Sequence, residues 1–97
     1  MPATVHVVAR FVAKAGKEQA LKSALNALIA PSRRELGCYQ YDLLENASDP
    51  RDFCFVERWD TDKALDQHRE SPHVKQAQSQ VEGLVESPPD VRRYRQI

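Results

Sequence analysis

The chain has 97 residues, 41% of them apolar, and its 14 basic residues balance its 14 acidic residues. A chain of this length is typical of one small domain with a marginal core, so oligomerisation is a reasonable way to bury more surface. The balanced and interspersed charges exclude the basic surface that nucleic acids or anionic membranes require.

The N-terminal residues, the lack of a long apolar stretch and the two cysteines predict the cellular compartment. The N-terminus has no basic region followed by a long apolar run, and no stretch approaches the ~18 apolar residues of a membrane span. If the two central strands form a hairpin, Cys54 faces a position near Leu44, too far from Cys38 for a disulfide. We therefore expect a cytoplasmic protein with reduced cysteines that binds neither nucleic acid nor a membrane.

The first third of the chain changes from a strand pattern to a helix pattern. Residues 5–13 are rich in β-branched side chains and alternate, which predicts a strand. Apolar residues then recur at spacings of three and four, the pattern of an amphipathic helix: Ala20, Leu21, Ala24, Leu25, Leu28 and Ile29. We expect Pro31 to kink or end this helix, and Gly37 to supply the left-handed conformation that commonly closes a helix.

The middle of the chain predicts a hairpin. Residues 38–45 alternate, with Tyr39, Tyr41 and Leu43 on one face, and predict the second strand. The polar segment 46–52 contains Asp-Pro and predicts a turn. The third strand then follows directly.

The third strand leads into the second helical region. Residues 53–59 alternate as a strand, and Asp60 and Thr61 offer the oxygen side chains that cap a helix. We expect Pro72 to end or kink this helix after about three turns, because proline lacks the amide donor. The helical stripe continues beyond it to about Glu86.

The last segment completes the predicted fold. Pro88 and Pro89 stop the helix, and residues 91–97 form the final strand. The order strand, helix, strand, strand, helix, strand predicts a ferredoxin-like α+β sandwich, a four-stranded antiparallel sheet with both helices on one face. We expect a single domain over residues 1–97, with its core at 4–95.

The sheet face that points away from the helices is too apolar to be left in water. Its apolar members are Val8, Val12, Leu44, Cys54 and Val56. A second subunit packing sheet to sheet is the simplest cover, so we expect a homodimer.

Residues 53–75 concentrate the side chains suited to chemistry. Four of them share one strand face: Phe53, Phe55, Glu57 and Trp59. On the helix that follows, His68 lies at helical spacing from Ala64 and Leu65, so it has apolar neighbours. His73 comes directly after Pro72. His6, Asp62 and Asp66 do not make a metal set at recognisable spacing.

These segments resemble the antibiotic biosynthesis monooxygenase domain family over nearly the whole chain. The resemblance lies in FVERWDTDKALDQHRESPHVK, together with VVARFVAKAGKEQAL, LGCYQYDL and PPDVRRY. Its most specific part is the Glu-x-Trp of residues 57–59, followed by His68 nine residues after the Trp and by Ser-Pro-His at 71–73. The resemblance implies a dimeric α+β barrel with one pocket per subunit.

Departures from the family's branches narrow the activity that the resemblance implies. The haem-degrading branch relies on an Asn, a Trp and a His at positions held here by Ala9, His68 and Gln78, which leaves no obvious axial iron ligand. The polyketide-oxidising branch has an Asn and a Tyr where this chain has Phe55 and Leu65. The quinol-oxygenase and signal-processing branches match better, through His68 and His73.

The predicted site has two catalytic residues. His68 would take the proton of a phenolic hydroxyl as a neutral imidazole, although a buried His that bonds Glu57 or Tyr41 for packing alone gives the same pattern. Glu57 would orient His68 and stabilise its protonated form, or else pair structurally with Arg10, Arg93 or a backbone amide.

The residues predicted to bind substrate are Trp59, Phe55, Tyr41, Leu65 and His73. Trp59 would offer an aromatic wall, unless it belongs to the core, and His73 equally fits an exposed helix start. We expect a cofactor-independent monooxygenase acting on a quinol or other electron-rich aromatic and O2, with no haem, flavin or metal. An isomerase or tautomerase of a small carbonyl compound and a non-catalytic ligand-binding domain are the alternatives.

Overall fold

The computed structural model describes residues 4–97 and has the predicted ferredoxin-like architecture. Its elements are, in chain order, β1 (Val5–Val12), α1 (Glu18–Asn26), α2 (Ile29–Arg33), β2 (Cys38–Glu45), β3 (Asp52–Trp59), α3 (Asp62–Arg69), α4 (Pro72–Val81) and β4 (Asp90–Tyr94). The strands form one antiparallel sheet in the order β2-β3-β1-β4. None of the helices in these residues has the length and apolar character needed to cross a membrane.

One face of the sheet, the inner face, packs against the helices and forms the core. Burial alternates strictly along β3, as expected for a strand with one covered face. The buried apolar residues of the two central strands are Val5, Val7, Ala9, Phe53, Phe55 and Trp59. Leu21, Leu25, Leu65, Ala77 and Val81 cover them from the helices. Each large side chain buried in this way stabilises the fold by roughly 1.5–3 kcal/mol.

Each predicted helix is divided into two segments, and the prolines lie at the start of the second segment. The break after α1 comes at residues 27–28, and Pro31 lies in the first turn of α2, where its missing amide has no helical partner to lose. Likewise α3 ends at Arg69, and Pro72 is the first residue of α4. Both prolines therefore lie in the first turn of a second helical segment, rather than ending a helix themselves.

A β-bulge changes the predicted alternation of β2. Cys38 pairs with Trp59 and Gln40 with Arg58, so the register shifts at Tyr39. Tyr39 is exposed, and the guanidinium of Arg58 lies 5.2 Å from the centroid of its ring. The prediction that Tyr39 shares a face with Tyr41 was wrong, because the extra residue of the bulge reverses the direction of the side chains before it.

The hairpin register agrees with the sequence analysis elsewhere. Leu44 pairs with Cys54, as predicted, and both cysteines are free. The last strand is shorter than expected and ends at Tyr94. Thr61 caps α3, since its Oγ1 accepts a hydrogen bond of 3.1 Å from the amide of Ala64.

The opposite face of the sheet, the outer face, carries apolar side chains that the helices do not cover. Val8, Leu44 and Tyr94 are exposed there, and Cys54 and Val56 are half-buried. We propose that a second copy of the chain packs on this face. Val8 lies on a central strand and so marks the middle of the proposed interface.

We predict that the wild-type chain sediments as a dimer of about twice its 11.0 kDa mass at micromolar concentration. Val8→Asp should shift the population to monomer, because it would place an unpaired charge in the middle of an apolar interface. Leu36→Asp is the matched control, since Leu36 is exposed but lies outside the sheet. A wild-type chain that is monomeric under these conditions would contradict the prediction.

Candidate active site

A cavity of about 670 Å³ lies between the inner face of the sheet and the helices. This is within the range of ligand pockets, which usually measure about 300–1,000 Å³. Most of its wall is apolar, with Val7, Ala9, Phe55, Leu65 and Val74 among the lining residues. Polar side chains enter the wall beside them: Tyr41, Glu57, His68, Arg69 and Gln78. The cavity is therefore suited to a largely apolar ligand that carries a few polar groups.

His68 lies in the last turn of α3, and its ring is held on three sides. Its Nδ1 is 2.6 Å from Oε2 of Glu35. The ring packs against Trp59 with 4.5 Å between centroids, and Tyr41 approaches it edge-on at 5.3 Å. Its other ring nitrogen, Nε2, makes no hydrogen bond within residues 4–97, and the residue lines the cavity. This arrangement fixes the orientation of the ring.

The contact with Glu35 also determines which ring nitrogen of a neutral His68 carries the proton. A carboxylate accepts hydrogen bonds, so a neutral His68 carries its proton on Nδ1 and keeps a lone pair on Nε2. Burial lowers the pKa of His68, although the hydrogen bond to Glu35 opposes this shift. A lowered pKa favours the neutral imidazole. His68 is thus arranged as a proton acceptor on the cavity wall.

Glu57 lies in the cavity wall but does not contact His68 through a hydrogen bond. Its Oε1 accepts a 2.9 Å hydrogen bond from Nε1 of Trp59. Burial raises the pKa of Glu57 from 4.5 to about 7, while the bond from Trp59 lowers it. The predicted alternatives, Arg10 and Arg93, pair instead with aspartates. The hydrogen-bond partner of His68 is therefore Glu35 rather than Glu57.

Three of the five predicted substrate-binding residues line the cavity, namely Phe55, Tyr41 and Leu65. Trp59 is fully buried behind the ring of His68 and is absent from the lining. His73 is also absent from it, and its Nε2 lies 2.9 Å from Oε2 of Glu35. Trp59 and His73 therefore support His68 and Glu35 from behind rather than facing the cavity.

Glu35 is the site residue that the sequence patterns did not single out. It lies in the connection between α2 and β2, which is 33 residues from His68 along the chain. Gly37 draws this connection against α3, since an added Cβ would lie only 2.8 Å from Cβ of Ala64. The φ of 85° at Gly37 confirms the predicted left-handed conformation. The glycine at position 37 was the one sequence signal that could have drawn attention to this connection.

The same fold occurs in known proteins. The family model described as antibiotic biosynthesis monooxygenase matches residues 4–80. The protein named "Putative monooxygenase Rv0793" from Mycobacterium tuberculosis is 41% identical over 88 residues, which cover 91% of this chain and 86% of that protein.

Solved structures share the fold of this chain. PA3566 from Pseudomonas aeruginosa has a TM-score of 0.94 at 32% identity, covering 100% of this chain and 97% of that one. SO0527 from Shewanella oneidensis has a TM-score of 0.92 at 36% identity, with coverage of 99% and 93%.

Fold and cavity define a ferredoxin-like α+β protein with a largely apolar cavity between its sheet and its helices. More particularly, the chain belongs to the antibiotic biosynthesis monooxygenase family. This membership supports a monooxygenase-like function in the oxidoreductase class.

We predict that Glu57 makes the stability of the protein depend on pH. Because its pKa rises from 4.5 to about 7 on folding, the folded state binds the carboxyl proton more tightly than the unfolded state does. Stability from this group is complete below about pH 4.5 and is lost as the pH rises through about 7. At about 1.4 kcal/mol per pKa unit, the loss is about 3 kcal/mol.

Glu57→Gln should remove this dependence, since an amide oxygen can still accept the bond from Trp59. Urea unfolding at about pH 5 and about pH 8.5 would measure the difference between the variant and the wild type. Glu45→Gln is the control, because Glu45 is exposed. Parallel pH profiles for wild type and Glu57→Gln would contradict the prediction.

Proposed function

We propose that the protein is a cofactor-independent monooxygenase that oxidises a quinol or another electron-rich aromatic compound with O2. One observation carries the proposal: the imidazole of His68, whose Nδ1 lies 2.6 Å from Glu35, lines an apolar cavity, and its Nε2 makes no hydrogen bond within residues 4–97. Family membership supports the same chemistry at a coarser level.

The proposed reaction begins with proton transfer to Nε2 of His68. A quinol anion gives an electron to O2 far more readily than the neutral quinol does, so one well-placed base is enough to start the oxidation. The quinol supplies both electrons that monooxygenation requires. A quinol and one O2 give a hydroxyquinone and one water, and the atoms and electrons balance without an added reductant.

The cavity wall divides the remaining tasks. Phe55 and Leu65 offer apolar surface to a planar ring, and Tyr41 lies with its ring 4.7 Å from that of Phe55. Burial raises the pKa of Tyr41, which keeps its hydroxyl neutral as a hydrogen-bond donor. Glu57, with a pKa of about 7, holds a proton for part of the time at neutral pH and so can return one to a reduced oxygen atom.

Glu35 takes the positioning role in this proposal. In base-plus-orienter arrangements, a carboxylate selects the tautomer of the imidazole and stabilises the imidazolium that forms. Glu35 makes this contact to Nδ1, opposite the nitrogen that would accept the substrate proton. A homodimer formed through the outer face leaves this site intact, because the cavity lies on the inner face.

Oxygen consumption with a panel of benzoquinols and naphthoquinols, at a pH where their spontaneous oxidation is slow, tests the proposal directly. We expect enzyme-dependent O2 uptake with formation of the hydroxylated quinone. Proton exchange or isomerisation of a small carbonyl compound without O2 uptake, followed by NMR, would favour the isomerase alternative. Ligand binding without either reaction would favour a binding domain.

We predict that His68→Ala lowers turnover of the active quinol by about 10² to 10⁴, the usual contribution of a positioned general base. The loss should fall mainly on kcat, since the imidazole acts on the proton being transferred. His68→Gln should lose a similar factor while it fills more of the vacated space. Gln67→Ala, at an exposed neighbour on α3, is the control. Full turnover in a folded His68→Ala protein would exclude His68 as the base.

We also predict that Glu35→Gln lowers kcat and changes KM little. The amide can accept the proton of Nδ1 but cannot stabilise the imidazolium by its charge. Steady-state kinetics separate the two parameters, and the control is Glu45→Gln, whose carboxylate is exposed and pairs with Lys22. A change confined to KM would show that Glu35 acts on substrate binding instead.

A further inference from the structure

Glu35, His68 and His73 bring three metal-binding side chains together from three separate segments. Their atoms Oε2, Nδ1 and Nε2 lie within 4.8 Å of one another. We propose that these three residues bind a divalent transition-metal ion of the Zn²⁺ type, and that an ion bound there inactivates His68 as the base of the cavity. The second part of this proposal rests on the proposed function, while the first part stands alone.

The donor set matches the preference of this class of ion. Two imidazoles and one carboxylate hold Zn²⁺ in hydrolytic enzymes and Fe²⁺ in non-haem oxygenases, and both leave positions open for water or substrate. Zn²⁺ bonds nitrogen and carboxylate oxygen at about 2.0–2.2 Å, so its ligand atoms lie about 3–3.5 Å apart. The present separations are 2.6 Å for Glu35 to His68 and 2.9 Å for Glu35 to His73. An ion therefore requires the carboxylate of Glu35 to move away from each histidine nitrogen by less than about 1 Å.

The protein also provides an entry path and supporting contacts. The side chains of Glu35 and His73 are 18% and 25% exposed, so an ion reaches them from solvent without crossing the cavity. Oγ of Ser71 donates a hydrogen bond of 2.6 Å to the carbonyl of His68 and lies 3.3 Å from Nε2 of His73. This hydroxyl joins the end of α3 to the start of α4, and it holds the two histidines at their relative positions.

Metal binding would change the tautomer of His68. Without an ion, Nδ1 carries the proton that Glu35 accepts, and Nε2 has the free lone pair. An ion bonded to Nδ1 requires that lone pair, so a neutral imidazole must then carry its proton on Nε2. At His68, one hydrogen bond to Glu35 breaks and one metal–nitrogen bond forms, with no net change in the protons on the ring. At His73, the hydrogen bond from Nε2 to Glu35 breaks in the same way, and the proton of that ring moves to Nδ1 when Nε2 binds the ion. Nε2 of His68 then becomes a donor and no longer accepts a proton from a substrate.

Binding can be tested without any enzyme assay. Titration of the metal-free dimer or monomer with Zn²⁺, followed by calorimetry, should show one ion per chain. Co²⁺ should give the visible d–d absorption of a low-coordinate nitrogen and oxygen site, without the strong near-ultraviolet band of a thiolate ligand. Failure to bind one ion per chain at micromolar protein with excess metal would overturn the proposal.

Variants locate the site. Substitution of residues that only support metal ligands typically weakens metal binding about 10- to 100-fold. Glu35→Gln and His73→Asn remove ligands themselves, so each should weaken Zn²⁺ binding by more than this factor. His6→Ala is the matched control, because it removes a histidine that lies on the outer face and pairs with Arg58 in the sheet register. Unchanged metal binding in Cys38→Ser would show that the nearby thiol is not a ligand. Stoichiometric binding that survives both Glu35→Gln and His73→Asn in folded protein would place the ion elsewhere and overturn the assignment.

Nitrogen NMR of the His68 ring separates the two parts of the proposal. The metal-free protein should show the proton on Nδ1, and the Zn²⁺-loaded protein should show it on Nε2. If oxygenase activity is found, Zn²⁺ should abolish it in the wild type, and His73→Asn should require at least 10-fold more metal for the same inhibition. Absent oxygenase activity would count against the proposed function only, whereas bound metal with the proton still on Nδ1 would overturn the switch itself.

Discussion

The carboxylate of Glu35 is the interaction on which the candidate site depends. It accepts from the imidazoles of His68 and His73 at 2.6 and 2.9 Å, and so joins the α2–β2 connection to the facing ends of α3 and α4. A half-buried carboxylate without partners would cost several kcal/mol, whereas two charge-assisted hydrogen bonds offset that cost. The same contacts select the tautomer of His68, so one carboxylate contributes to both the local structure and the chemistry of the cavity.

The inner face of the sheet combines two demands that usually conflict. A core requires apolar packing, and Phe53, Phe55 and Trp59 supply it with almost complete burial. The proposed reaction requires polar groups, and Glu57 and His68 are buried in the same layer. The conflict is reduced because Glu57 and His68 each have a specific contact with an aromatic neighbour. Trp59 serves both, since its Nε1 donates to Glu57 and its ring packs on His68.

The divided helices explain why these contacts are possible. A continuous helix through Pro72 would carry His73 around the helix axis and away from Glu35. Because α3 ends at Arg69 and α4 begins at Pro72, the two histidines lie on either side of a break, with both rings directed to one carboxylate. Gly37 provides the second condition, since only a residue without Cβ allows the α2–β2 connection to pass so close to Ala64. The chemistry of the site thus follows from two breaks in regular structure.

The amino-acid sequence determined the order of the elements, the ferredoxin-like fold and the inward face of β3, because period-two and period-3.6 patterns are local properties of the chain. It also singled out His68 as a candidate site residue, since a histidine on an apolar helical stripe is conspicuous in any context. Tertiary structure decided which carboxylate meets that histidine. Glu57 is the nearer carboxylate in sequence and Glu35 the one in contact, because the contact depends on the bend at Gly37 and on the packing of loop against helix. Tertiary structure also decided that Trp59 and His73 do not line the cavity. The sequence could not predict this, because the surroundings of a side chain are set by neighbours that are distant in the sequence.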